Sequence, residues 1–214
     1  MDRQEEVLRK TMVLQGQSLF MRGLSGGSSG NMSVRLDCGG FLATPTGYSL
    51  GALEPDLLSE LDSNGRHLSG PAPTKEVFMH LACYKANDTC NAVVHLHSPF
   101  AVALSCINGL DPDNCLPLFT PYAVMRIGML PLAPYCKPGS PEIGHQLDRH
   151  MPGRTAVLLA NHGPVVCGRN LEDAVCNSEE VEAAARLYFL LHGCSARALS
   201  PDQVQALMPR PVYE

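Results

Sequence analysis

Two apolar segments that run into histidines are the most distinctive feature of the hydrophobic pattern. Residues 92–97 read Ala-Val-Val-His-Leu-His, and the apolar run at residues 155–160 is followed by Asn-His-Gly. Side chains alternate across a strand, so this pattern predicts His95 and His97 on one face, where they can share one metal ion. A His-x-His pair also occurs for packing or hydrogen bonding. A histidine at the end of a buried strand needs a polar partner. His162 ends a second such strand, and three strand-end histidines together favour a metal site.

The rest of the pattern predicts helices and short strands joined by polar loops. Periodic apolar positions predict helices over residues 2–22, 74–84, 99–107, 141–151 and 171–192, and a short helix that starts at Ser200. Alternation predicts strands over residues 32–36, 41–43 and 165–168, and a hairpin that joins residues 57–62 to 66–68. Residues 116–137, rich in proline and aromatic side chains, are expected to mix short strands and loops.

One predicted helix start carries candidate chemistry. Thr74 suits the N-cap of the helix at residues 74–84, which places Lys75 and Glu76 in the first turn. Free backbone N–H groups and the positive end of the helix dipole favour anions there. Glu76 can be an ordinary first-turn acid that complements this dipole. His80, one turn later, is expected to be a structural or surface histidine.

Composition narrows the functional class. The chain has 214 residues, of which 45% are hydrophobic, so we expect a single domain over residues 1–214. The formal net charge is −5 and no basic run occurs, which argues against binding to nucleic acid or acidic membranes. The N-terminus is amphipathic rather than an apolar signal core, and no apolar stretch has the length of a membrane span. The sequence therefore predicts a cytoplasmic chain.

The cysteines do not suggest a structural framework. There are nine of them, an odd number, scattered singly without a Cys-x-x-Cys pair. Without an export signal they are expected to be reduced thiols, most of them in the core. A bound metal would therefore be held by histidine and carboxylate side chains.

Two small polar loops are candidate phosphate sites. Residues 25–31 read Ser-Gly-Gly-Ser-Ser-Gly-Asn, and residues 44–47 read Thr-Pro-Thr-Gly. Such loops can surround a phosphate with backbone N–H groups and hydroxyls, although glycine and serine also simply make loops. Neither loop has the spacing of a Walker motif or of a dinucleotide fingerprint.

Other polar residues have equally ordinary interpretations. Tyr122 and Arg126 are functional candidates, but a tyrosine between apolar neighbours is usually core and an arginine is usually a surface charge. The carboxylates of the long helix at residues 171–192 are expected to form a solvated face: Glu179, Glu180 and Glu182. Whether Tyr213, in the C-terminal tail, reaches a neighbouring subunit's site is left open by the sequence.

Five of these motifs, in this order, resemble the class II aldolase/adducin family. They are Ser-Gly-Asn-Met-Ser at 29–33, Thr-Pro-Thr-Gly at 44–47, Glu76, His-Leu-His-Ser at 95–98 and Asn-His-Gly at 161–163. The resemblance covers nearly the whole chain. It implies an α/β fold, a single α/β/α domain with a central, mainly antiparallel sheet flanked by helices. It also implies a homotetramer with its sites at the subunit interfaces.

The resemblance further implies a role for each matching residue. It implies one zinc ion per subunit, bound by His95, His97 and His162, with Glu76 as a resting-state ligand or as the acid/base. Three histidines also accommodate Mn²⁺ or Co²⁺. The resemblance implies a phosphate pocket lined by Ser29, Gly30, Asn31, Thr44 and Gly47.

A departure from the family pattern points to the substrate. Sugar-phosphate aldolases of the family usually have two serines before the glutamate, where this chain has Thr74 and Lys75. Lys75 adds a positive charge, which suits a substrate that carries a carboxylate as well as a phosphate. With residues 120–128 and 131–139, this resembles a subgroup that decarboxylates 3-oxo-tetronate 4-phosphates to dihydroxyacetone phosphate and CO₂.

This resemblance implies a division of work and leaves alternatives. Glu76 would handle the proton and Tyr122 would assist its delivery, while zinc would act as a Lewis acid. A sugar-phosphate aldolase or epimerase would use the same scaffold. A non-catalytic, adducin-like interaction module is a more distant alternative, since it would be expected to lack the metal ligands.

Overall fold

Eight strands form one sheet within the part of the protein that the structure describes. The computed structural model describes residues 3–208. The strands are β1 Asn31–Arg35, β2 Phe41–Ala43, β3 Ser59–Leu61, β4 His67–Ser69, β5 Ala92–His95, β6 Leu132–Ala133, β7 Ala156–Leu159 and β8 Gly163–Gly168. Their order in the sheet is β4-β3-β2-β1-β5-β8-β7-β6, and every neighbouring pair is antiparallel except β6 and β7. The expected mainly antiparallel sheet is confirmed.

Helices cover both faces of this sheet. They are α1 Arg3–Met21, α2 Val77–Ala86, α3 Pro99–Ser105, α4 Pro121–Arg126, α5 Glu142–His150, α6 Leu171–Leu191 and α7 Pro201–Leu207. Val93 of β5 packs in a core with residues of α2 and α5. Its neighbour Val94 packs on the opposite side, with residues of α1 and α6. This alternation confirms the expected α/β/α arrangement, because each face of a central strand meets a different helix layer.

Two boundaries near the candidate site were predicted wrongly: the end of strand β5 and the start of helix α2. The strand predicted over residues 92–97 ends at His95, which pairs with Val165 of β8, and His97 lies beyond it with its side chain exposed. Thr74 is not the N-cap of α2. Its hydroxyl accepts a hydrogen bond from the Glu76 N–H, and the helix begins at Val77 with Glu76 as its N-cap. Glu76 therefore precedes the first turn.

The segment at residues 116–137 is more helical than predicted. It contains α4 and only the two-residue strand β6. The Thr120 hydroxyl accepts a hydrogen bond from the Ala123 N–H, and Pro121 occupies the first helical position, where its missing N–H costs nothing. A Thr-Pro start signal was thus present within a segment whose composition favoured loops.

The long helix α6 does not present all of its carboxylates to solvent. Glu182 is 7% exposed and accepts hydrogen bonds from the N–H groups of Phe100 and Ala101, at 2.9 and 2.8 Å. The prediction of a solvated Glu182 was therefore wrong. Glu179 lies at the surface and pairs with Arg22, and Glu180 is partly buried.

All nine cysteines are free thiols, as expected, but only four of them are buried, so the prediction that most lie in the core was wrong. Among residues 3–208 no helix combines the length and the apolar character that crossing a membrane requires. Tyr213 and the C-terminal tail lie outside the described residues.

Candidate functional site

Three histidines from separate parts of the sequence meet at one end of the central strands. His95 ends β5, His97 follows two residues later, and His162 lies between β7 and β8. One potential ligand atom from each side chain lies within 4.8 Å of the others. The three rings pack edge to face, with centroids 4.8 to 5.0 Å apart. The antiparallel pairing of β5 with β8 produces this meeting, because the end of β5 adjoins the start of β8.

The backbone around His162 is shaped for this approach. Asn161 has a φ of 55°, a left-handed conformation that asparagine tolerates better than most residues. Gly163 has a φ of 155°, and a Cβ there would lie 2.4 Å from the Leu96 carbonyl oxygen. A glycine is therefore required where the turn that carries His162 passes the segment that carries His97.

Hydrogen bonding and burial leave the imidazoles as neutral nitrogen donors. The His95 Nδ1 lies 2.9 Å from the Pro164 carbonyl oxygen, which can only accept, so Nδ1 carries the proton and Nε2 keeps its lone pair. Burial lowers the pKa of His95 well below its usual value, with a further contribution from His162 and His97. Desolvation also lowers the pKa values of buried His162 and of His97, whose ring is only partly shielded from solvent. Neutral imidazole is the form that binds metals.

Glu76 completes the set of potential ligands. Its Oε2 lies 3.7 Å from the His95 Nε2, and its Oε1 lies 3.8 Å from the His162 Nε2. The Nε2 atoms of His95 and His97 are 3.1 Å apart. Tetrahedral zinc with bonds of 2.0–2.1 Å implies a nitrogen–nitrogen distance of about 3.3 Å. Three neutral nitrogens and one carboxylate therefore fit a divalent metal such as zinc.

An open cavity of about 560 Å³ lies beside this cluster. It is lined by His97, His162 and Glu76, and by most of the residues for which the sequence predicted substrate binding. Those are Ser29, Gly30, Asn31, Gly47, Thr74 and Lys75. Among the described lining residues, Lys75 is the one cationic side chain. Its charge and the N-terminal end of α2 make this part of the cavity suitable for an anion.

Two predicted phosphate residues are engaged elsewhere. Thr44 is not among the residues that line the cavity; it is buried, and its hydroxyl accepts a hydrogen bond from the Met32 N–H. Asn31 lines the cavity, but its side chain donates to Glu76 and contacts His80. The Thr44 hydroxyl therefore binds the backbone of β1, and the Asn31 side chain binds the Glu76 carboxylate. Each thus has a partner other than a phosphate.

Tyr122 does not line the cavity within one chain. It lies on α4 with 52% of its surface exposed, next to Arg126. Arg126 in turn donates to Asp173 on α6 at 3.0 Å. The catalytic role predicted for Tyr122 remains a prediction.

Sequence reasoning did not assign several other residues that line the cavity. Thr46, Asn161, Pro138 and Gly139 do so, and each belongs to one of the segments that carry the family resemblance. Val102 of α3 lines it as well, with the character of an ordinary apolar helix residue. His80 was expected to be a structural or surface histidine, and it is the former: it is fully buried and contacts both Asn31 and Ser33.

The chain is similar to known proteins over most of its length. Residues 10–189 match the model of the class II aldolase and adducin N-terminal domain. The chain is 48% identical to 3-oxo-tetronate 4-phosphate decarboxylase of Escherichia coli (strain K12) over 203 residues, which cover 95% of this chain and 96% of that protein. It is 36% identical to L-fuculose phosphate aldolase of the same strain, over 78% of this chain and 75% of that one.

A solved structure also resembles it closely. The crystal structure of YgbL from Klebsiella pneumoniae, a candidate aldolase, epimerase or decarboxylase, superposes with a TM-score of 0.93 and 49% identity. The match covers 95% of this chain and 99% of that one. On the fold, the matched domain and these similarities, the chain belongs to the class II aldolase and adducin family.

Proposed function

We propose that this protein is a metal-dependent lyase that decarboxylates a 3-oxo-tetronate 4-phosphate to dihydroxyacetone phosphate and CO₂. The observation that carries this proposal is the 48% identity to a decarboxylase of that name over 95% of the chain. The cavity supports it, since Glu76 and Lys75 line it and the cluster of three neutral histidines lies beside it.

The residues of the site match the chemical requirements of this decarboxylation. A β-keto acid loses CO₂ when the electron pair of the broken carbon–carbon bond can move into the keto group. When bound by His95, His97 and His162, a divalent metal supplies a Lewis acid for this keto group. The carbon that carried the carboxylate then needs a proton, and Glu76 is positioned to deliver it directly or through water. Lys75 and the start of α2 would hold the anionic ends of the substrate.

The nearest alternative is a sugar-phosphate aldolase or epimerase. The 36% identity to L-fuculose phosphate aldolase supports it, and both reactions place negative charge on the same oxygens. Lys75 favours the decarboxylase. Its substrate carries a carboxylate as well as a phosphate, whereas an aldose or ketose phosphate carries the phosphate alone. A non-catalytic adducin-like module is disfavoured, since the three histidines and Glu76 lie together.

The first test is an assay of the zinc-loaded protein with a 3-oxo-tetronate 4-phosphate, in which dihydroxyacetone phosphate is measured. We expect rapid product formation. The Glu76→Gln variant should lose about 10²–10⁴-fold in kcat, because it cannot donate or accept the proton. Zinc content, measured by mass spectrometry, separates this loss from loss of metal. The matched control is Glu172→Gln, which changes an exposed glutamate on α6.

Two results would overturn the proposal. Condensation of dihydroxyacetone phosphate with an aldehyde, without decarboxylation, would make the protein an aldolase. Full decarboxylase activity in Glu76→Gln would remove Glu76 from the proton transfer.

The assembly proposed from the family resemblance is a homotetramer. Exposed Tyr122 and Met125 on α4, with 52% and 54% of their surfaces accessible, are apolar side chains that an interface would cover. Light scattering of the purified protein measures the assembly directly, and a monomeric mass would refute this part of the proposal.

A further inference from the structure

The polar side of strand β1 is matched to helix α2 residue by residue. Asn31, Ser33 and Arg35 alternate along the strand and face the layer that contains α2. Their contacts on α2 and at its N-cap are four residues apart: Glu76, His80 and Tyr84. Two strand residues rise about 6.6–6.8 Å and four helix residues about 6 Å, so the two sets stay in register.

These contacts form a continuous buried chain of hydrogen bonds. The Asn31 Nδ2 donates to the Glu76 Oε2 at 2.8 Å, and the Asn31 Oδ1 lies 2.5 Å from the His80 Nε2. The His80 Nδ1 lies 2.7 Å from the Ser33 hydroxyl, which lies 2.6 Å from the Tyr84 hydroxyl. His80 and Ser33 are fully buried. The chain links the candidate acid/base to the interior of the protein.

Because this series of hydrogen bonds ends at a carboxylate, only one assignment of donors and acceptors satisfies every bond in it. The carboxylate of Glu76 accepts, so the Asn31 amide turns its NH₂ group to Glu76 and its oxygen to His80. That oxygen also accepts, so the His80 Nε2 carries the ring proton and Nδ1 accepts from Ser33. Tyr84 then donates to Ser33.

Burial keeps the protons where this arrangement needs them. It lowers the pKa of His80 to about 3 and raises the pKa of Tyr84 well above its usual value. His80 therefore stays neutral, and Tyr84 keeps its hydroxyl proton.

We propose that His80 is a positioning residue for Glu76, through the orientation that its Nε2–H imposes on the Asn31 amide. This rests on the proposed function only in that Glu76 handles the reacting proton. The Nε2–H of His80 makes the reversed amide unfavourable, since the NH₂ group would then face a donor. The Asn31 NH₂ group consequently holds the Glu76 Oε2, and the Glu76 Oε1 stays toward His162. A core histidine needed only for packing would have no such effect on Glu76.

Two substitutions of His80 distinguish positioning from packing. The Nε2 of glutamine can take the place of the His80 Nε2, so His80→Gln keeps a donor to Asn31. The shorter amide of asparagine reaches only the Nδ1 position, so His80→Asn keeps a partner for Ser33 and loses the donor to Asn31. We expect His80→Asn to lower kcat about 10- to 100-fold, as removal of an outer-shell partner does, with KM nearly unchanged. His80→Gln should stay within a few-fold of the wild type.

The matched control is Cys83→Ala, on the same helix. Cys83 is fully buried in the core and lies outside the chain of hydrogen bonds, so this variant should lose stability and keep kcat. Equal activities of His80→Asn and His80→Gln would overturn the proposal. A fall in kcat for Cys83→Ala as large as that for His80→Asn would also do so.

A measurement on the metal-free protein tests the same proposal without any substrate. Nitrogen-15 NMR of the histidine side chains reports which ring nitrogen of His80 carries the proton. We expect the neutral Nε2–H tautomer at neutral pH, and an Nδ1–H or doubly protonated ring would overturn the proposal. This readout stands if His80→Asn fails to fold. It also separates failure of the positioning proposal from failure of the decarboxylase assignment, since the tautomer does not depend on the substrate.

Discussion

At the level of single residues, His80 couples the stability of the protein to pH. Burial lowers its pKa from 6.5 to about 3 in the folded protein. The folded state therefore binds fewer protons than the unfolded chain between these values. His80 contributes its full stability above pH 6.5, and this contribution is lost progressively as the pH falls toward 3.

We therefore expect acid to destabilise the wild type more steeply than His80→Gln. The free energy of unfolding of the metal-free protein, measured with urea between pH 4 and 7, should fall by about 1 kcal/mol more per pH unit in the wild type. Glu76 and Tyr84, which the chain of hydrogen bonds links to His80, and His95 on β5 are present in both proteins. Parallel pH profiles would show that His80 is not held neutral.

Gly163 is a second residue whose identity the site requires. Gly163→Ala would place a Cβ 2.4 Å from the Leu96 carbonyl oxygen and should push His162 away from His97. We expect a loss of zinc affinity of at least tenfold, together with about 1–3 kcal/mol of backbone strain. Calorimetric titration with zinc measures the affinity.

The control for this prediction is Gly153→Ala. Gly153 also has a left-handed φ, of 70°, but no atom of the described residues lies within 4 Å of its Cβ position. It should share the strain without the collision and keep its zinc affinity. Equal zinc affinities of the two variants would contradict the explanation.

Among the helices and strands, α3 depends on a partner from another helix. Ser98, its N-cap residue, makes no side-chain capping bond, and the Glu182 carboxylate of α6 accepts from the N–H groups of Phe100 and Ala101 instead. A carboxylate at a helix N-terminus is favoured by both hydrogen bonding and the helix dipole. Because α3 starts directly after the His97 segment, Glu182 fixes the helix next to the metal candidates.

Glu182→Gln should therefore lower the stability of the protein, although glutamine has nearly the same shape as glutamate. The amide has one acceptor oxygen for two N–H groups, so we expect a loss of about 1–3 kcal/mol in the free energy of unfolding. Urea denaturation measures this loss. Glu180→Gln is the control: Glu180 is partly buried on the same helix, and burial raises its pKa, so neutralising it should change stability by less than about 0.5 kcal/mol. An equal effect of both substitutions would argue against the cap.

For the whole molecule, the candidate metal centre joins several parts of the fold. β5, the turn before β8 and the start of α2 each contribute a potential ligand. A metal bound there would stabilise the folded state, because the unfolded chain has no assembled site.

Removal of the metal should consequently lower the melting temperature. At a zinc concentration about 100 times Kd, binding contributes about 2.7 kcal/mol. For a domain of this size that corresponds to a shift of about 5–10 °C, measured by calorimetry with zinc and with a chelator. His97→Ala should show little difference between the two conditions. A wild-type melting temperature that is insensitive to the chelator would contradict metal binding at this site.

Local patterns along the chain were enough to predict most of the helices and strands and much of the candidate site. Burial of one face gives a helix apolar residues with a period of 3.6 and a strand a period of 2. These patterns predicted the bounds of α1, α2, α5, α6 and most strands to within a few residues. The strand-end histidines and the glycine that follows His162 were also visible in the sequence. Of the residues to which the family resemblance gave a role, most line the cavity or belong to the histidine cluster beside it; Thr44 and Tyr122 do not.

Residues whose roles depend on a neighbour far away in the chain could be recognised only in the folded protein. Glu182 has the local setting of a solvated glutamate, and its burial follows from the packing of α6 against α3. Tyr122 lies in a quoted motif, yet α4 holds it outside the cavity of its own chain. His80 is an unremarkable helix residue until β1 places Asn31 and Ser33 against it. Hydrogen bonds between residues far apart in the chain leave no periodic trace in the sequence, because either partner alone is equally compatible with solvent.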